Sequence, residues 1–170
     1  MRKNKATLHF ICGKLGSGKT TLAKEIADQQ NAIFISEDIW LSQLFPDAIK
    51  TFEDYLLYSK RVRTIIADHA IELLQHGVSV VFDFSGNRPA DRDWVKSIFE
   101  RAQVAHVLHY IVASDDLCRA QFKKRNLNLP KGSKIITDQE FDVITQYFVP
   151  PEQNEEYCVE YHYRENDGEI

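Results

Sequence analysis

An apolar run, TLHFIC (7–12), leads into the octapeptide GKLGSGKT (13–20), and a helix-forming run, TLAKEIADQQ (21–30), follows it. Gly13, Gly18, Lys19 and Thr20 occupy the four fixed places of the pattern G-x-x-x-x-G-K-[ST]. A strand, a glycine loop and a helix in that order form a phosphate cradle. The glycines let the backbone turn and bring its N–H groups against phosphate oxygens, and the new helix adds its positive N-terminus. The whole loop from Gly13 through Lys14, Leu15, Gly16, Ser17 and Gly18 to Lys19, Thr20 and Thr21 is the expected nucleotide contact. Lys19 is expected to reach the β- and γ-phosphates, and the Thr20 hydroxyl to join a Mg²⁺ shell. An N-K-x-D guanine-reading motif is absent from the sequence, which argues against a guanine switch; ATP is the expected nucleotide of a kinase reading.

The rest of the chain alternates short apolar runs with longer helical patterns, the signature of βαβ units around a parallel sheet. Strands are predicted at 7–12, 32–36, 78–84, 104–112 and 157–163, with helices at about 19–30, 90–102, 114–126 and 138–148. The strongest helical period lies between the second and third strands, in Phe52, Tyr55, Leu56, Val62, Ile66, His69, Ala70 and Leu73. Thr51 with Asp54, and Thr137 with Glu140, have capping-box spacing. His69 on that stripe reads as a core or near-core residue.

At 170 residues and without a Gly/Ser/Pro-rich linker, residues 1–170 are expected to form one α/β domain. Lys and Arg number 21 against 25 Asp and Glu, a formal charge of −4, which is opposite in sign to the footprint of a general nucleic-acid binder. No apolar stretch has the length of a membrane span and no signal peptide is read, so a cytoplasmic location is expected. Cys12, Cys118 and Cys158 are odd in number and far apart, as reduced thiols are, and Cys12 reads as a small core residue. His9, His106 and His109 fall in strands without ligand spacing, so no histidine metal site is expected.

Three further segments carry candidate chemistry. ISEDIW places Asp38, with Ser36 and Glu37, just past the second strand, where loops of an α/β sheet face the ligand crevice. Asp38 there is a candidate base for an attacking alcohol; equally, Ser36 caps the next helix and the two acids favour its dipole. VVFDFSGNRPADR places Asp83 at the end of the third strand, followed by Arg88 and Arg92. FKKRNLNLPKGSKIIT joins a basic helix end to a polar segment, within which a lid over about 126–138 is expected. Arg125, aided by Lys131 or Lys134, either clamps the transferring phosphoryl group or simply complements the helix dipole.

Together the loop, SEDIW, VVFDFSGNRPADR and FKKRN resemble the AAA_33-type P-loop kinases, a group similar to the kinase domain of phage-type polynucleotide kinases, to chloramphenicol phosphotransferase and, more distantly, to zeta toxins. The resemblance implies a five-stranded parallel sheet in order 2-3-1-4-5 with a mobile lid. It also implies that Asp38 matches the acceptor-activating aspartate, Asp83 the acid that serves metal or acceptor, Arg92 a following substrate-side arginine, and Arg125 the arginine before the lid. Leu41 stands where polynucleotide kinases carry an arginine for the acceptor's phosphate, and the segment 126–138 contains no arginine. A small-molecule hydroxyl is therefore the expected acceptor, with Trp40, Leu41, Leu44, Phe45 and Tyr55 as lining candidates. A nucleic-acid 5′-hydroxyl kinase and a non-catalytic ATP-binding regulatory module are the alternatives.

Overall fold

The structure, a computed structural model, describes residues 6–128 and 136–165. Strand β1 (Thr7–Cys12) is followed by α1 (Lys19–Gln30), β2 (Ile33–Ser36), α2 (Glu37–Leu44), α3 (Phe52–Gln75) and β3 (Val80–Ser85). The chain continues through α4 (Pro89–Ala102), β4 (Ala105–Ala113), α5 (Asp115–Leu127), α6 (Asp138–Gln146) and β5 (Val159–Arg164). All four strand pairings are parallel and the order is β2-β3-β1-β4-β5, the kinase-type order that the resemblance implies. Predicted element limits differ from the observed ones by two residues or fewer, apart from α2, which no apolar period announces.

The apolar runs are continuous because the inner strands are covered on both faces. On one side Leu8, Phe10, Cys12, Val80 and Phe82 pack with Val62, Ile66, Ala70 and Leu74 of α3 and Val95, Ile98 and Phe99 of α4. On the other, Ile11, Val81 and Ile111 meet Leu22, Ala23, Ile26 and Ala27 of α1. Both expected capping boxes form, at Thr51 with Asp54 and at Thr137 with Glu140. The buried row of α3 runs through Ser59, Val62, Ile66, Ala70 and Leu74, so His69 is exposed, against the expectation that it lies in the core. Apolar residues on the flanks of that row, Leu56, Leu57 and Ile65, are exposed and broaden the helical pattern in the sequence enough to hide its centre.

Arg92 is also placed otherwise than expected. It is fully buried, and its guanidinium donates to Glu155 Oε2 at 2.7 Å, Glu155 Oε1 at 2.6 Å, and the carbonyls of Gly86 and Val149, each at 3.0 Å. With those donors consumed it has no reach toward an acceptor. Its role is to tie the start of α4 to the segment that connects α6 and β5. Cys12 and Cys118 are buried free thiols and Cys158 is an exposed one. His106 is satisfied where it stands, stacked on Phe99 at 3.9 Å and accepting from the Cys158 amide at 3.1 Å. Among the described residues no helix is long and apolar enough to cross a membrane.

The bidentate pair predicts a stability loss that is structural in origin. Glu155→Gln leaves the buried guanidinium without its counter-charge and is expected to cost about 3 kcal/mol, the low end for breaking such a pair, because Glu155 keeps some solvent contact. The bond to Arg92 holds the Glu155 carboxyl below the usual glutamate range. Its stabilisation is thus present above the unfolded-state value and is lost as pH falls through the lowered one. Urea unfolding at pH 7 and at acid pH measures both effects; a midpoint unchanged by the substitution at pH 7 refutes the assignment.

Candidate functional site

Between β1 and α1 the chain reverses through two glycines in the left-handed region, Gly16 at φ +80° and Gly18 at φ +92°. A Cβ on Gly16 would lie 2.3 Å from the Cys118 carbonyl oxygen, so close approach as well as dihedral requires glycine there. Gly18 is the N-cap of α1 and brings no capping side chain, which leaves the first amides of the helix without side-chain partners from the cap. The Gly13 amide donates to Asn87 Oδ1 at 2.9 Å, fastening the loop to the turn after β3. Lys14 turns outward to Asp115 at 2.5 Å, and Leu15 packs on the small cluster of Cys118, Phe122 and Phe141. Ser17 is buried and its Oγ has no hydrogen-bond partner.

Lys19 is drawn under the loop, donating to the carbonyls of Gly13 at 2.8 Å and Lys14 at 2.9 Å. Desolvation is the largest influence on the ammonium and lowers its pKa, with the Cys12 thiol and the Asp83 carboxyl pulling the other way. A desolvated cation whose direct partners are neutral carbonyls is suited to an incoming anion. The lone Ser17 hydroxyl and the open backbone at Gly18 point to the same ligand type. The loop therefore fits a polyphosphate on the evidence of its own geometry.

Facing it, the ends of β2 and β3 bring oxygen donors together. Thr20 Oγ1 lies 3.1 and 3.2 Å from the two oxygens of Asp83, and Ser36 Oγ donates to Asp83 Oδ2 at 3.1 Å. Ser36 stands at the N-cap of α2, with Glu37 and Asp38 in the first turn, but its hydroxyl is turned to Asp83 and makes no capping bond. Two hydroxyls converging on one carboxylate form a hard-oxygen set that suits Mg²⁺. Glu37, its sequence neighbour, turns away from this set into the interior. It accepts from Ser59, from Arg63 Nε at 2.8 Å and from Tyr55 Oη at 3.4 Å, and Arg63 continues to Asp91 at 3.3 Å. The network fixes α2 against α3 and α4 and so fixes the direction of Asp38. Asn87, Ser59, Arg63 and Asp91 carry no local signal of this role, because their partners lie on other elements.

Asp38 itself has exposed surface, yet the surrounding protein is dense enough that desolvation, then the charges of Asp83 and Glu37, raises its pKa. Arg125 and Lys19 act on it in the opposite direction. Arg125 is exposed in the last turn of α5, where its charge reaches Asp38. The expected lid lies largely outside the described residues, Lys131 and Lys134 included. Asp38 also lines a cavity of about 350 Å³ with Leu41, Phe45, Ile49 and Tyr55, and Asp47 at its rim. Of the expected lining residues, Leu41, Phe45 and Tyr55 are present, whereas Trp40 and Leu44 are not. A second cavity, of about 590 Å³, borders the loop at Ser17, Gly18 and Thr21 and is bounded by Gln121, Tyr163 and Arg164.

The family model described as an AAA domain, AAA_33, matches residues 8–151, the span that holds the loop, both acids and Arg125. The chain belongs to the AAA_33 family. Solved structures agree with this AAA_33 chain on the fold. A candidate kinase from Chloroflexus aurantiacus J-10-fl superimposes with a TM-score of 0.75 over 95% of this chain and 89% of its own, at 17% identity. A gluconokinase from Sinorhizobium meliloti 1021 gives 0.59 over 95% and 84%, at 15% identity. Kti12 from Chaetomium thermophilum, in complex with ADP-AlF3, gives 0.64 over 94% and 89%, at 14% identity. At such identities the likeness establishes a kinase-like P-loop fold. No protein of curated function matches the chain significantly.

The environment of Asp38 makes a prediction about stability alone. A carboxyl whose folded pKa exceeds its unfolded one binds more protons in the native state, so stability falls as pH rises through that interval and the deficit is complete above it. Asp38→Asn is therefore expected to raise Tm at pH 7 and to lose that advantage towards pH 3. A Tm lowered at pH 7 contradicts the description of this carboxyl.

Proposed function

We propose that this AAA_33 protein is an ATP- and Mg²⁺-dependent phosphotransferase that moves the γ-phosphate to a hydroxyl of a small molecule. One observation carries the reading: Asp38 is at once a wall of the 350 Å³ cavity and within electrostatic reach of Lys19, Asp83 and Arg125. An alcohol in that cavity has beside it a carboxylate that feels the charge of Lys19. Asp38 then accepts the hydroxyl proton as the oxygen attacks phosphorus, while the bond between phosphorus and the β–γ bridging oxygen breaks.

The remaining residues divide the charge. Lys19 and the loop amides hold the β- and γ-phosphates, and the ADP-AlF3 complex of the Kti12 neighbour supports this choice of ligand class. Thr20 and Asp83, oriented by Ser36, are the residues that would hold Mg²⁺, which supplies neutralisation of the β- and γ-oxygens when bound. Arg125 meets the charge of the phosphoryl group in transit from the end of α5. The 590 Å³ cavity that borders the loop at Ser17, Gly18 and Thr21 is the room available to the nucleoside, and it shares no lining residue with the cavity at Asp38.

The acceptor cavity has no Lys or Arg in its wall and two acids, Asp38 and Asp47. That composition disfavours the nucleic-acid alternative, whose acceptor brings phosphates of its own. A regulatory module that only binds ATP has no use for a carboxylate placed between the loop and a second hollow.

Incubation of the protein with γ-labelled ATP, Mg²⁺ and a panel of alcohols, nucleosides, amino-sugars, antibiotics and oligonucleotides tests the proposal. Label is expected in a small alcohol, with a rate that depends little on salt. Label found only as free phosphate across the panel removes the transferase reading. Transfer to an oligonucleotide that weakens steeply with salt replaces the acceptor class with nucleic acid.

A further inference from the structure

On the α1 side of the sheet, three histidines that are remote in sequence form a row across neighbouring strands. His9 of β1 meets His109 of β4, Nδ1 to Nε2, at 3.0 Å. His109 in turn meets His162 of β5, Nδ1 to Nε2, also at 3.0 Å. The parallel register explains the alignment: Ile11 pairs with His109 and Ile111 with His162, so all three rings share the face of Ile11 and Ile111. Glu160, two residues before His162 and paired with His109, projects on the same face. Its Oε2 lies 3.8 Å from His109 Nδ1 and its Oε1 3.5 Å from His162 Nε2. Among the described residues this is the group of His, Cys, Asp and Glu whose ligand atoms all fall within 4.8 Å of one another.

We propose that His109, His162 and Glu160 form a transition-metal site of the Zn²⁺ class, outside the phosphate-binding centre, with the fourth position open to water. The ligand spacings carry the argument. A tetrahedral ion with bonds of about 2.1 Å requires its ligands to stand about 3.4 Å apart. The two nitrogens stand 3.0 Å apart and each faces a different oxygen of Glu160, at 3.8 and 3.5 Å, so a small rotation of the carboxylate and a slight opening of the two rings admit the ion.

The rest of the row supplies what a ligating imidazole needs. With metal on His109 Nδ1, the proton of that ring sits on Nε2 and is donated to His9 Nδ1, which fixes the tautomer and the ring plane. His9 is buried, His109 is 3% exposed, and the His162 and Glu160 side chains are 20% and 60% exposed, so the site is backed by the sheet and open toward solvent. Two imidazoles and a carboxylate suit Zn²⁺ and its neighbours in the series, whereas Mg²⁺ prefers the oxygen set at Thr20 and Asp83. The proposal departs from the sequence expectation that histidine builds no metal site, because the residues meet through sheet register and not through spacing along the chain. Only Glu160-x-His162, two residues apart on one strand face, is a local sign.

Co²⁺ titration of the full chain, in excess Mg²⁺ and without nucleotide, tests the site. One equivalent is expected to give the intense visible absorption of low-coordinate Co²⁺, and Zn²⁺ is expected to displace it. Any Co²⁺ at Thr20 and Asp83 stays octahedral and nearly colourless. Both direct ligands tested reach the surface, so their variants are expected to keep the wild-type far-UV circular dichroism. His162→Ala and Glu160→Gln are expected to weaken the coloured complex by more than about 100-fold, beyond the usual effect of an outer-sphere change. Absence of the absorption in the wild type, or equal affinity in His162→Ala, overturns the proposal. Neither result bears on phosphoryl transfer, which has its own test.

Discussion

The structure turns on a lysine ammonium drawn under a loop that offers it only carbonyls. Lys19 is in place because Gly16 and Gly18 turn β1 directly into α1 through left-handed backbone, and because the loop is pinned at Gly13 by Asn87 and faces Cys118 too closely for any Cβ at Gly16. Desolvating a cation without an opposing charge in contact is unfavourable, and an anion offsets that cost, which gives the loop its ligand preference. Beside the loop, Thr20 and Ser36 gather on Asp83, and Asp38 borders a hollow that it shares with Leu41, Phe45, Asp47, Ile49 and Tyr55.

Holding acids close together at one edge of a sheet creates repulsion that the fold counters with buried ion pairs. Glu37 is neutralised inside by Arg63, which also reaches Asp91, and Asp91 binds Arg88. Arg92 is neutralised by Glu155. These pairs keep α2, α3 and α4 in fixed relation, and Asp38 inherits its position from them. Its own carboxyl is left with Asp83 and Glu37 as neighbours, and that is part of why its proton affinity rises. A raised affinity is what a proton acceptor in phosphoryl transfer requires.

Much of this is legible in the sequence. Strands buried on both faces write themselves as unbroken apolar runs, the glycine loop is a contiguous word, and capping boxes at Thr51 and Thr137 are read from residues three apart. Asp38, Asp83 and Arg125 are legible as polar residues at the ends of predicted elements; Asp83 meets Thr20, and Asp38 feels the charges of Lys19 and Arg125. What was illegible depends on distance along the chain. The resemblance implies a substrate-side role for Arg92, and the sequence gives no sign of its partner because Glu155 is far along the chain and reaches it only after α6. Glu37 and Asp38 are adjacent acids with opposite fates, decided by Ser59 and Arg63 on another helix. The histidine row is invisible because sheet register, set by every strand at once, brings its members together.

The central claim is that Asp38 takes the proton from a hydroxyl held beside the γ-phosphate. Single-turnover transfer from labelled ATP to the identified acceptor, compared between the wild type and Asp38→Asn with the ATP dissociation constant measured alongside, tests it most directly. The account predicts a transfer rate lower by about 10²- to 10⁴-fold with ATP affinity nearly unchanged. A wild-type transfer rate in Asp38→Asn would contradict it.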